Sequence, residues 1–93
     1  MYRDDPLDDE AELRDVVGDE AVDALLASGG ADALLAALDA LRILQGWVDQ
    51  ATCAGWLMTR QRRLDDRSPL EALAAGAHDE VADVLRIYVA AQA

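Results

Sequence analysis

The stretch Trp56–Gly76, WLMTRQRRLDDRSPLEALAAG, spells out a helix–loop–helix joint. Ser68 is a good helix N-cap, and Pro69 suits the first helical position because an N–H there has no partner to lose. Glu71, three residues after the cap, completes a capping box. Leu70 and Leu73 give the new helix an apolar side, and Gly76 fits its C-terminal stop. Upstream, the Trp56-Leu57 pair closes an earlier helix, and an arginine-rich polar segment joins the two. Nothing in this joint has the look of a catalytic group.

The rest of the chain reads as more helix. Over half of its 93 residues are hydrophobic, largely Ala and Leu, with no Phe. Ala and Leu are the strongest helix formers, and no segment alternates as a strand would. We therefore expect an all-α fold, a small single-domain bundle of five to six short helices. Residues 1–9 are polar and acidic and read as a flexible tail. A short helix at about 9–17, with Leu13, Val16 and Val17 on its apolar side, ends at Gly18. A second runs from Asp19, with Val22, Leu25 and Leu26 on one face, to a stop at Ser28-Gly29-Gly30. The third and longest starts near Ala31. Its stripe of Leu34, Leu38, Leu41, Leu44 and Val48 is expected to face the core, widened by Leu35 and Trp47. Gly46 marks its end, and Asp49 caps a fourth helix at about 50–59. Helices at 69–75 and 79–91 complete the set. The expected organisation is a tail at 1–9, N-terminal helices at 10–47 and a further helical region at 48–93, all in one compact domain.

Charge narrows the function classes. The net charge is −11, from 19 acidic residues against 8 basic ones, every one of them arginine. That balance argues against nucleic-acid binding, which needs clustered positive charge, and against anionic membrane surfaces. It suits a basic partner surface. Residues 1–50 hold 13 acids and 3 arginines, whereas residues 51–93 hold 6 acids and 5 arginines. Four of the latter, Arg60, Arg62, Arg63 and Arg67, fall within the joint. Cys53 is the sole cysteine, which fits a reducing cytoplasm. No apolar run approaches the ~20 residues of a membrane span, and the first residues lack the apolar core of a signal peptide.

Catalytic and metal chemistry find little to work with. His78 and Cys53 are single examples of their types and cannot supply four N/S metal ligands. Cys53 lies among Ala and Trp as a small core residue would, and Trp56 beside it reads as core. The acidic run at 4–12 contains Pro6 and Leu7 and no glycine, unlike a calcium loop. Neither enzyme activity nor a cofactor is expected.

Trp56-Leu57, Leu64, Pro69-Leu70, Leu73 and Gly76 together resemble the toxin-binding domain of the Xre/MbcA/ParS-type antitoxins. That family's pattern runs W-L, Pro-Asn, L-x-G, P-L-x-x-L, Gly and a final amphipathic helix. The resemblance extends back through Val48-Asp49 and Ala54 and forward through Val81, Val84, Leu85 and Ile87, covering roughly the C-terminal half. Arg60 and Gln61 stand where the family has Pro-Asn, and Asp66 stands where it has Gly; these departures bear on the loop's shape. The resemblance implies an antitoxin that binds a RES-type, NAD-degrading toxin and sterically blocks its active site. Family members usually carry a DNA-binding helix-turn-helix as well. Residues 1–45 are short, acidic and without a basic recognition helix, so DNA binding is not expected here.

The residues expected to meet such a partner are Arg60, Arg62, Arg63 and Arg67, with Pro69 and Leu70 beside them and Tyr88 near the C-terminus. Arginine forms bidentate contacts with carboxylates, and tyrosine combines an apolar ring with a polar tip. The plainer alternative is a solvated loop whose arginines pair with Asp65 and Asp66. Two other functions compete with the antitoxin: a homo-oligomerisation or scaffold module acting as a homodimer, and an acidic mimic of DNA.

Overall fold

Pro6 opens the first helix of the computed structural model, which describes the backbone of residues 6–92 and the side chains of residues 9–92. Helix α1 spans Pro6–Val17, so residues 6–9, expected as tail, are helical, while residues 1–5 lie outside the described residues. Proline is pre-set for a first helical turn, and Asp9 and Glu10 favour the positive end of the helix dipole. Gly18, at φ 97°, turns the chain directly into α2, Asp19–Gln45. Helix α3 is Gln50–Met58, a 3-10 turn follows at Arg62–Leu64, and α4 (Pro69–Ala74) and α5 (His78–Gln92) complete the chain. The fold is all-α, a small helical bundle.

Helix α2 departs from expectation. The stop foreseen at Ser28-Gly29-Gly30 shrinks to one residue, Gly30, at φ 70° and ψ −161°. Helical conformation resumes at once, so two helices meet at a kink. Across it α2 reaches 27 residues and is long and apolar enough to cross a membrane by length and composition. This corrects the expectation that no apolar run approaches a span, which rested on Ser28-Gly29-Gly30 as a full stop. Val22, Leu25, Leu38, Leu41 and Leu44 of that helix line the core. The core side of its second arm also differs from the expected leucine stripe. Ala33, Ala37 and Ala40 are buried, Leu34 and Val48 are half-buried, and Leu35 and Trp47 point outward. Gly29 lets α4 approach closely, since a Cβ there would stand 3.0 Å from the Ala74 Cα, and Leu35 lies on the exposed side of the helix.

Polar side chains fasten α1 to both arms of α2. Arg14 reaches Glu10 at 3.0 Å, Asp19 at 3.3 Å and Asp23 at 2.9 Å across the Gly18 joint. The hydrogen bonds it donates, to Asp23 first and then to Glu10, push its guanidinium pKa further up. Asp9 pairs with Arg42, and Gln45 Nε2 donates to Glu12 at 2.6 Å, which brings the far end of α2 back to α1. Helices α3, α4 and α5 close over the same core, where Leu57, Leu64, Leu73, Val81 and Leu85 are buried together. The radius of gyration is 12.3 Å, matching the roughly 12 Å of one compact chain of this length.

The joint is built as its chemistry demands. Ser68 Oγ accepts from the Glu71 N–H at 3.1 Å, and Glu71 Oε1 accepts from the Ser68 N–H at 2.8 Å. At the other end of α4, the N–H groups of Gly76 and Ala77 reach back to the carbonyls of Leu73 and Ala72, with Gly76 at φ 90°. This pair of bonds satisfies carbonyls the helix end would otherwise leave free. Asp49 caps α3 in the same manner, accepting from the Thr52 N–H at 2.8 Å.

The capping box makes part of the stability acid-sensitive. The Ser68 backbone N–H, aided by Arg60, holds the Glu71 carboxyl below its ordinary value of 4.5. A carboxyl whose pKa is lower folded than unfolded stabilises above the unfolded pKa, and that contribution fades as pH falls through the folded one. Glu71→Gln keeps an acceptor for the Ser68 N–H but removes the titration. Its unfolding midpoint in urea should therefore fall less steeply than the parent's between about pH 5 and pH 3, and parallel slopes would sink the prediction.

Candidate interaction surface

Helix α3 ends in an extended segment, with Thr59 at φ −90°, ψ 132° and Gln61 at φ −131°, ψ 139°. Side chains alternate along extended backbone, and here they part between two hollows. Met58 and Arg60 line a groove of about 590 Å³ against the first arm of α2 and α4. Thr59 and Gln61 line a shallower hollow of about 430 Å³ beside Trp56 and Tyr88. The larger groove has an apolar floor, including Ala21, Leu25 and Leu70, under a charged rim of Glu20, Arg60 and Glu71. Arg60 sits 3.5 Å from Glu71 across that rim.

The loop behind this segment is tied by its own backbone. The Gln61 carbonyl accepts from the N–H groups of Leu64 and Asp66, and the Gln61 N–H donates to Arg67. Asp65 and Asp66 are both left-handed, at φ 59° and 63°. That conformation is costly for residues with a side chain, although Asp tolerates it better than most. Leu64 plugs the loop into the core with no exposed surface.

The sequence-expected contact residues separate into three groups. Arg62 and Arg63 are exposed and have no acidic partner within ion-pair distance among the described residues, while Arg60 is exposed on the groove rim. Arg67 folds inward: its Nε donates to the Leu64 carbonyl at 2.9 Å, and its tip approaches Asp65 at 3.9 Å and Glu80 at 4.0 Å. It holds the loop to α5. Pro69 and Leu70 are buried, because the first turn of α4 faces the core, and neither offers an outward surface. Only the edge of Leu70 reaches the groove floor. Tyr88 is half-buried, its ring 5.8 Å from that of Trp56 and tilted by 41°.

Sequence reasoning missed the outward apolar residues. Leu35, Ile43 and Trp47 on and beside α2, and Met58 at the groove mouth, are about half exposed. Their helical spacing matches core residues, and only the packing of the other helices, α4 and α1 foremost, decides which side of α2 is covered. Cys53 is buried, and burial pushes its thiol pKa up, aided by Asp49. That disfavours the reactive thiolate. Among the described residues no three His, Cys, Asp or Glu side chains gather into a group able to hold a metal ion. The arrangement offers recognition: a groove, an arginine-bearing loop and an acidic surround. No family model, no curated protein and no solved structure matches this chain.

Proposed function

We propose that this chain is an antitoxin-like binding protein that sterically blocks a partner toxin of the RES, NAD-degrading type. The observation that carries the reading is the outward display of Arg60, Arg62 and Arg63 on a loop braced between a buried Trp56-Leu57 and a capped α4. The resemblance supplies the partner's identity, and one geometric detail bears on it. Asp66, at the position the family fills with glycine, is left-handed at φ 63°. Glycine adopts that conformation freely, so this departure leaves the loop's path compatible with the family's pattern. The loop arginines suit carboxylates on the partner, while the acids elsewhere on the chain, which set the −11 charge, suit a cleft lined with the positive groups that hold a dinucleotide's phosphates. The NAD chemistry belongs to the toxin, and this chain needs neither cofactor nor catalytic residue, nor contact with nucleic acid or membrane. A cytoplasmic location follows from such a partner.

An affinity pull-down of the tagged chain from its native lysate, read by mass spectrometry, tests the reading. Stoichiometric recovery of a small toxin that consumes NAD, with its activity suppressed in the complex, is the expected result. Reversing Arg60, Arg62 and Arg63 to Glu should then weaken binding while leaving the melting temperature within a few degrees. Exposed ion pairs such as Arg60–Glu71 contribute only about 0–1 kcal/mol, so the fold does not depend on these arginines. An unchanged dissociation constant would remove the loop from the interface. The competing function, a homodimeric scaffold, draws on the exposed apolar residues of α2, and recovery of the chain alone as a dimer would favour it.

A further inference from the structure

Leu35, Asp39 and Ile43 follow one another at four-residue spacing along the outer side of α2, each about 40° around the axis from the last. They form a ridge of the kind that helices pack into each other's grooves. Leu35 is 54% exposed, Ile43 47%, and Trp47, just past the helix end, 49%. Among the described residues, this ridge is therefore left half open, an apolar surface without a full cover.

Its charge says what would cover it. Asp32 and Asp39 lie on this same outer side, exposed, with no ion-pair partner among the described residues. The nearest cation on α2, Arg42, is engaged by Asp9. A second copy of the chain would bring another −11 charge and another pair of unpaired carboxylates onto the first. Like charges across an interface oppose association, and opposite charges set register and partner.

We propose that the outer ridge of α2 docks a basic amphipathic helix of another protein, its apolar side on Leu35, Ile43 and Trp47 and a Lys or Arg on Asp39. This surface carries none of the loop arginines, so it stands or falls separately from the toxin-binding reading.

Trp47 is the reporter, because Trp56 is already buried. The probe is a synthetic amphipathic peptide of about 14 residues with leucine on one face and lysine on the other, titrated into the full chain. A saturable blue shift in tryptophan emission is expected. Asp39→Lys should weaken binding at least about tenfold more than Asp15→Lys, which changes the net charge equally at an exposed site on α1. Leu35→Ser combined with Ile43→Ser should abolish the shift, with helical circular dichroism retained because both side chains lie outside the core. Equal losses from Asp39→Lys and Asp15→Lys would overturn the proposal, leaving only general charge attraction. A peptide-free dimer in light scattering that the double serine variant returns to monomer would also overturn it, in favour of a second copy.

Discussion

Trp56→Ala should unfold this protein or bring it close to unfolding. Trp56 is 8% exposed at the C-terminal end of α3, between the buried Cys53 and Leu57, with the Tyr88 ring tilted against it. Truncation removes the largest side chain the core holds and leaves a cavity that rigid helices fill only in part. Changes of this kind cost about 3–5 kcal/mol, against a total stability of roughly 5–15 kcal/mol for a small domain. Urea unfolding followed by circular dichroism measures the loss. Trp56→Phe keeps most of the contact with Tyr88 and should fold, with a smaller loss that can be quantified if the alanine variant does not. A loss below about 1 kcal/mol for the alanine variant would mean that Trp56 does not hold α3 to α5.

The second large effect is expected at Gly30. Its φ of 70° and ψ of −161° belong to a region that only glycine occupies readily. Gly30→Ala should cost at least about 1–3 kcal/mol. Alanine also favours uninterrupted helix, which would straighten α2 and draw its second arm away from α1, breaking the Asp9–Arg42 and Glu12–Gln45 contacts. D-alanine placed at position 30 by chemical ligation discriminates the cause. For a D-residue these angles mirror an ordinary extended L-conformation near −70° and 161°, close to polyproline II. The D-variant should match or exceed the parent in melting temperature, since it also restricts the unfolded chain. Equal destabilisation by L- and D-alanine would point to crowding rather than backbone conformation. The neighbouring Gly29 has the opposite role: a Cβ there would lie 3.0 Å from the Ala74 Cα, so its bareness lets α4 seat against α2.

These two positions show different degrees of legibility. Trp56 could be read as core from its place beside Cys53 and Leu57, and Ser68, Glu71, Asp49 and Gly76 each act as their local chemistry implies. Caps and stops are decided within four or five residues, so the sequence carries them whole. The Ser28-Gly29-Gly30 break was legible as a break, but not as a kink confined to one residue. The start of α1 at Pro6 was missed because acidic, proline-bearing ends read equally well as tails. Of the expected contact residues, Arg60, Arg62 and Arg63 are displayed outward. Arg67 is spent on the loop, and Pro69 and Leu70 on the core.

Local sequence thus determined that this chain is helical, where its capped helix ends fall, and that a capped joint follows Trp56-Leu57. Those properties depend on backbone hydrogen bonds and propensities acting over one or two turns. Tertiary structure alone decided which face of α2 is covered. Leu35 and Leu38 are equally apolar and three residues apart, yet the first is exposed and the second buried. The difference comes from which side the other helices cover, with Gly29 letting α4 seat closely on one of them. Burial of a face is a property of what packs against it, and that partner lies more than thirty residues away in the chain.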